Sequence, residues 1–139
     1  MAVRRRFWSR HANPWSVWTL MGAYPTLVWA IYRRDRRLLV GTLLFVAANP
    51  FVSPPPETDD AWATRVVLGE RVWLEREPLR SRETLFAAAS APVYLWTLRA
   101  AVDRRRVETG VGVALSMALM LVFFRRMVRL YDEENEASA

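Results

Sequence analysis

Apolar and polar positions alternate along this chain in long blocks rather than at every second or fourth residue. Four nearly charge-free blocks stand out: residues 14–32 with no charge, 38–52, 84–102 with only Arg99, and 109–124 with none. A helix rises about 1.5 Å per residue, so the first and third blocks reach roughly 28 Å, close to the ~30 Å of a bilayer's hydrocarbon core. The second and fourth are shorter and need flanking arginines that snorkel, or a locally thinned bilayer. Each block is bracketed by arginines. This pattern predicts an all-α, polytopic membrane protein with four short transmembrane helices paired in two helical hairpins.

The stretch between the second and third blocks follows another rule. Pro54, Pro55 and Pro56 hold the chain extended and end any preceding helix. Thr58 then reads as an N-cap, with Asp59 and Asp60 in a first turn whose dipole favours acids. A helix is expected over 58–76, stopped before Pro78. At 100° per residue, Trp62, Ala63, Val66, Val67, Trp73 and Leu74 share one arc. Thr64, Arg65, Arg71, Glu75 and Arg76 lie opposite, while Leu68 and Val72 fall outside the apolar arc. Such an amphipathic helix suits a membrane interface or the flank of the other helices, and its two tryptophans fit the former.

Composition then sharpens the picture. The chain has 139 residues, 53% of them hydrophobic, with seven tryptophans and no cysteine. All 20 basic residues are arginines, set against 14 acids for a net charge of +6. Disorder, a coiled coil and a disulfide scaffold are thereby excluded. Arginine-rich chains often bind nucleic acid, but these arginines flank apolar blocks, so anionic lipid headgroups are the expected partner and nucleic acid is not. The headgroup contacts expected are Arg33, Arg34, Arg36, Arg37, Arg104, Arg105, Arg106, Arg125 and Arg126. Arg4-Arg5-Arg6-Phe7-Trp8 superficially resembles a twin-arginine export signal, but a 19-residue block follows with no Ala-x-Ala site. A basic anchor on an uncleaved span is the better reading. Residues 132–139 carry four acids and are expected to form a solvated, frayed tail. With four spans, the tails and middle segment hold 12 arginines and the two tight turns eight, which places both termini in the cytoplasm.

The two halves are alike. Pro25 and Trp29, like Pro92 and Trp96, are followed by an arginine-rich turn and a shorter apolar block. Duplication and convergent membrane composition both account for this, and two spanning hairpins would enter from the same side as a parallel repeat. The prolines free carbonyls one turn earlier, and shaping of helix packing is favoured over a substrate pathway.

No nucleotide loop, nucleophile elbow, zinc motif or cysteine cluster is present, and His11 is the lone histidine, so neither a catalytic residue nor a cofactor is assigned. Two sets of residues draw attention. Glu70 falls within the apolar arc of the middle helix, where a carboxylate must be neutralised, paired or turned to water. A structural salt bridge to an arginine such as Arg99, or rotation toward solvent, is favoured there over an ion, headgroup or proton site. Asn13-Pro14 and Asn49-Pro50 suit caps or turns. If the first two spans are antiparallel, His11, Asn13, Asn49, Glu57, Asp59 and Asp60 converge near one membrane surface, a site for oxygen ligands with at most one imidazole.

Residues 7–16 (Phe-Trp-Ser-Arg-His-Ala-Asn-Pro-Trp-Ser), 48–62 (Ala-Asn-Pro-Phe-Val-Ser-Pro-Pro-Pro-Glu-Thr-Asp-Asp-Ala-Trp) and 67–74 (Val-Leu-Gly-Glu-Arg-Val-Trp-Leu) resemble a family of small haloarchaeal integral membrane proteins of unknown function. The likeness runs from about residue 7 to 125. It implies a membrane location and a host with molar internal salt, but no activity. At about 1 M salt the Debye length is ~3 Å, so long-range attraction to lipid would be lost while bidentate guanidinium–phosphate contacts persist. The function expected is non-catalytic, through contacts with lipid, a partner membrane protein or further copies of the chain. The alternative is a small oligomeric transporter or channel with Glu70 and the kinked spans lining a pathway. An interfacial enzyme using the acidic cluster and His11 ranks third.

Overall fold

The computed structural model describes residues 8–76 and 81–138, all helices and connections with no strand among them. The expectations for Arg4, Arg5, Arg6 and Phe7 and for a stop at Pro78 lie outside the described residues. A short helical turn over 8–11 leads into α1 (Pro14–Arg33) and α2 (Arg36–Val52), then α3 (Trp62–Glu75), α4 (Arg82–Val102) and α5 (Arg106–Ser138).

The boundaries have local causes. Asn13 caps α1, its Oδ1 accepting from the Trp15 N–H at 2.8 Å, and Pro14 at the first helical position gives up no needed donor. Asp35 caps α2 through the N–H groups of Arg37 and Leu38, both at 3.0 Å. Ser81 caps α4 through Thr84 N–H at 3.1 Å. The two tight turns share one backbone design. Arg34 and Arg104 adopt left-handed φ values of 57° and 58°, and the N–H groups of Arg34, Asp35, Arg104 and Arg105 return to carbonyls of the preceding helix. This is the closing pattern that usually uses glycine. The proline-to-turn spacing is longer in the second hairpin by most of a helical turn, so the likeness between halves is close at the turns and looser along the helices.

Several boundaries differ from those the sequence predicts. The middle helix begins at Trp62 rather than Thr58, with Ala61 at its cap and no side-chain cap bond. Trp62 stacks on Trp18 at 5.6 Å and meets the Phe124 ring edge at 6.1 Å, and this packing sets the helix start in place of the capping signal. The fourth apolar block does not end at residue 124. α5 runs on through the acidic segment to Ser138, because nothing after Gly112 interrupts it and its far half is held to α3 by the Arg65–Asp132 pair at 3.2 Å and the Arg76–Glu134 pair. The predicted frayed tail is therefore helical as far as Ser138.

α3 is also gripped more widely than its apolar arc implies. Thr64, assigned to the polar side, is fully buried, whereas Leu74 is half exposed. The helix wedges between the start of α1 and the second half of α5, so its contact surface spans two directions. Gly69 lies so close to Met127 that a Cβ there would collide with the Met127 carbonyl. The apolar core is concentrated at this end: Ala12, Val17, Ala63 and Val67 form one cluster, and Val66, Met127 and Val128 another, with Trp62 and Phe124 touching both.

Away from α3 the bundle is packed with smaller side chains. Thr97 and Ser116 are completely buried there, and Thr42 and Ser90 nearly so, beside Val28, Ala30, Ala100 and Ala101. The hydroxyls of Thr42, Ser90, Thr97 and Thr109 donate to the carbonyl four residues back at 2.7–2.8 Å, which satisfies them without water. Gly112 and Ser116, one turn apart on α5, let α4 come close at Thr97. Large apolar side chains point outward instead, among them Leu44, Leu85, Leu95, Val107 and Leu115. Two helices, α4 and α5, are long and apolar enough to cross a membrane, where the sequence predicts four spans. α2 has 17 residues, about 26 Å at helical rise, and packs along α1.

Candidate functional site

The helix ends at the α3 side of the bundle bring a buried polar chain together. The turn before α1 supplies His11, the first turns of α1 supply Ser16 and Thr19, the last turn of α2 supplies Asn49, and α3 supplies Glu70. The chain exists because Asn13 ends the first turn and redirects the backbone. Its Nδ2 donates to the Pro54 carbonyl at 3.0 Å, and Arg10 donates to the Phe51 carbonyl at 2.6 Å. Both bonds tie the entry of α1 to the exit of α2, so Ser16 and Asn49 face each other.

The polarity of the chain can be followed atom by atom. Ser16 Oγ donates to Asn49 Oδ1 in a short bond, and Asn49 Nδ2 donates to Thr19 Oγ1 at 2.8 Å. Thr19 Oγ1 in turn donates to the Trp15 carbonyl at 2.7 Å. With its proton committed to Asn49, Ser16 can only accept from His11 Nδ1, 3.4 Å away. That assigns the proton to Nδ1 and leaves the Nε2 lone pair facing Glu70 Oε2 at 3.9 Å. This last approach is too long for a hydrogen bond.

Burial acts on both titrating members in opposite directions. Desolvation raises the Glu70 carboxyl from its ordinary 4.5 to about 7 and lowers the His11 imidazole below its ordinary 6.5. Both shifts favour a neutral carboxylic acid beside a neutral imidazole. The pair can accept or release one proton near neutrality, and Ser16, Asn49 and Thr19 extend that polarity into the bundle.

The expected site is therefore assembled only in part. His11 and Asn49 are joined through Ser16, and Glu70 approaches His11, while the Asn13 side chain is taken up by the Trp15 N–H and the Pro54 carbonyl. Glu57, Asp59 and Asp60 remain exposed on the connection before α3, with Asp59 accepting from the Tyr131 hydroxyl at 3.4 Å. Their proline-led segment runs outside the bundle, so they do not converge with His11. Among the described residues, no three His, Asp or Glu side chains are grouped to hold a metal. Arg99 does not pair with Glu70 either. It lies at the opposite end of the bundle, bonded to Asp103 at 2.9 Å. Ser16 and Thr19 were the members not anticipated. Their signal was present as two hydroxyls three residues apart inside an otherwise apolar block.

A second polar knot ties α1, α4 and α5 together. Tyr24 donates to Ser116 Oγ at 3.0 Å, Tyr94 donates to the Ser116 carbonyl at 3.3 Å, and the two tyrosine rings meet edge-on at 5.6 Å. Each tyrosine neighbours an intrahelical proline, Pro25 or Pro92, which links those prolines to the junction of α1, α4 and α5.

Of the arginines expected at headgroups, Arg33, Arg34, Arg36, Arg37, Arg104, Arg105, Arg106 and Arg125 are exposed. Arg126 is already engaged, paired with Glu83 at 3.4 Å and set over the Phe86 ring.

A family model described as "Family of unknown function (DUF6653)" matches residues 2–139. Neither a curated protein nor a solved structure matches the chain.

Proposed function

The chain belongs to this family of unknown function, DUF6653, and from its architecture we propose that it is a multi-pass membrane protein that acts by contact, with lipid and with other membrane proteins, rather than by turning over a substrate. The observation that carries this reading is where the apolar surface sits. Only 22% of the most apolar window of α4 and 11% of that of α5 are buried. A core helix in a water-soluble protein is mostly buried, and an exposed apolar face of this extent calls for lipid or another chain. The hydroxyls that bond back to their own helices and the small-residue contact of α4 with α5 support the same conclusion.

In this reading α1 and α2 span as well, their ends extended by Trp15, Trp29 and the flanking arginines. Both termini and α3 lie on the cytoplasmic side, and the tight turns face outward. A host with molar internal salt belongs to the same proposal. Alkaline carbonate extraction of native membranes, followed by identification of what co-purifies in mild detergent, tests it. Retention in the membrane together with a bound lipid or protein is the expected result. Release into the aqueous fraction would overturn it.

One observation favours a second reading, proton-linked transport: Glu70 is a largely buried carboxyl, raised to about 7 by desolvation, that lies 3.9 Å from the His11 ring from which a directional hydrogen-bond chain starts. Ion or proton flux in liposomes that disappears with Glu70→Gln would replace the contact reading with this one.

A further inference from the structure

The end of the bundle opposite α3 holds a cleft of about 580 Å³ between α1 and the first turns of α5. Arg33 and Arg106 stand at it, and its walls descend along Trp29, Val28 and Pro25 on one side and Gly110 and Val113 on the other. From Arg33 to Pro25 the helix drops by about 12 Å. The cleft is thus cationic at the turn end and apolar below.

Its guanidinium groups are positioned before any ligand arrives. Trp29 and Tyr32 stack at 5.8 Å, with Arg33 over the indole at 5.7 Å and Arg104 over the Tyr32 ring at 5.9 Å. Arg106 Nε donates to the Tyr32 hydroxyl at 3.2 Å, which leaves its two terminal nitrogens for another acceptor. Among the described residues, no carboxylate pairs with Arg33 or Arg106: Asp35 caps α2, Asp103 bonds Arg99, and Glu108 bonds Arg105 at 2.7 Å. Both guanidinium groups are thus available to an anion from outside the chain.

We propose that this cleft binds one anionic phospholipid, with its phosphate between Arg33 and Arg106 and part of an acyl chain along Val28, Pro25 and Val113. Charge complementarity selects an anion, guanidinium geometry selects phosphate oxygens, and the apolar depth selects an amphiphile over a free ion. The proposal rests on the membrane reading above. It goes beyond general headgroup attraction because it names two of the eight arginines at this end as the binding pair.

The test uses the full chain in mild detergent micelles doped with phosphatidylglycerol, phosphatidylcholine or neither, with bound lipid read by native mass spectrometry. Wild type is expected to retain about one phosphatidylglycerol and to prefer it to phosphatidylcholine, with inorganic phosphate failing to displace it. Arg33→Gln/Arg106→Gln should reduce retention at least about tenfold, since it removes two charge-assisted contacts. Gly110→Leu should do the same without altering charge. A Cβ at Gly110 meets nothing within 4 Å, so the larger side chain enters the cleft rather than the fold. Arg36→Gln/Arg37→Gln, at the same end but outside the cleft, should stay within about twofold of wild type. Helical circular dichroism and a monodisperse elution profile confirm folding of each variant. Equal retention by wild type and Gly110→Leu would overturn the proposal, as would equal losses in the two arginine pairs or full displacement by inorganic phosphate. If carbonate instead strips the protein from native membranes, the membrane reading itself fails. If the protein stays in the membrane while lipid retention is unselective, only the cleft fails.

Discussion

Replacing Glu70 with glutamine removes the titrating carboxyl while keeping its shape, and the structure fixes the direction of the outcome. In the unfolded chain this carboxyl has its ordinary value of 4.5, and burial in the fold raises it to about 7. The folded state therefore holds the proton more tightly than the unfolded state. Glu70 costs nothing below pH 4.5, and its cost grows as pH rises through 7, where the fold must accept a buried carboxylate. At about 1.4 kcal/mol per unit, a gap of this size is worth on the order of 3 kcal/mol by pH 8. The side chain is 23% exposed by area, so solvent screening makes that figure an upper bound. His11 acts in the opposite sense and at lower pH. Its lowered value costs stability only as pH falls below 6.5, and glutamine at 70 leaves that limb in place. The assay is thermal unfolding of wild type and Glu70→Gln in the same detergent from pH 4.5 to 8.5. The two should match at the acidic end, the variant should gain on wild type between about pH 5 and 7, and the gap should hold level above 7, where the carboxyl is ionised in both folded and unfolded wild type. A constant difference across the range would refute the reasoning, and so would a variant that loses stability at pH 8.

Three further substitutions follow from the packing. Gly69→Ala places a Cβ against the Met127 carbonyl, which cannot rotate away, and should cost about 3 kcal/mol, the upper end for overpacking; a fall in Tm of only a degree or two would show that α3 and α5 are not so closely held. Asn13→Ala removes the cap of α1 and the bond to the Pro54 carbonyl, and a loss of about 1 kcal/mol is expected by denaturant titration. Asn49→Leu strands the buried Ser16 hydroxyl and should cost about 2 kcal/mol, and Ser16→Ala in the same chain should recover part of it; additive losses would mean that the two side chains are not coupled.

The sequence was most informative where local chemistry decides the outcome. Asn13-Pro14 predicted the start of α1 because a short polar side chain and a proline act within a few residues. Block hydropathy likewise located four of the five helices. It failed where distant parts of the chain compete with a local signal. Thr58 has the right residues after it to cap a helix, yet the stacking of Trp62 between Trp18 and Phe124 starts α3 later. The acidic end of α5 is largely solvated as it reads, but it is helical rather than frayed because Arg65 and Arg76 pair with Asp132 and Glu134. Glu70 was legible as a problem because a carboxylate on an apolar arc needs a partner. That the partner is His11 rather than an arginine depends on how α3 meets the turn before α1, which no residue spacing encodes. The Tyr24–Ser116–Tyr94 knot was hidden for the same reason, since single hydroxyls in apolar blocks reveal neither which helices they join nor at what depth.

In the proposed membrane reading this bundle sits across a bilayer, with its tight turns on one side and its termini and α3 on the other. The chain contains no cysteine, so a single introduced thiol reports its own location without ambiguity. The direct measurement is labelling of intact cells with a membrane-impermeant maleimide, using Arg37→Cys, Arg105→Cys and Ser138→Cys variants in turn. Residues 37 and 105 should react from outside, and residue 138 only after the membrane is opened. Labelling of all three from the same side would contradict it.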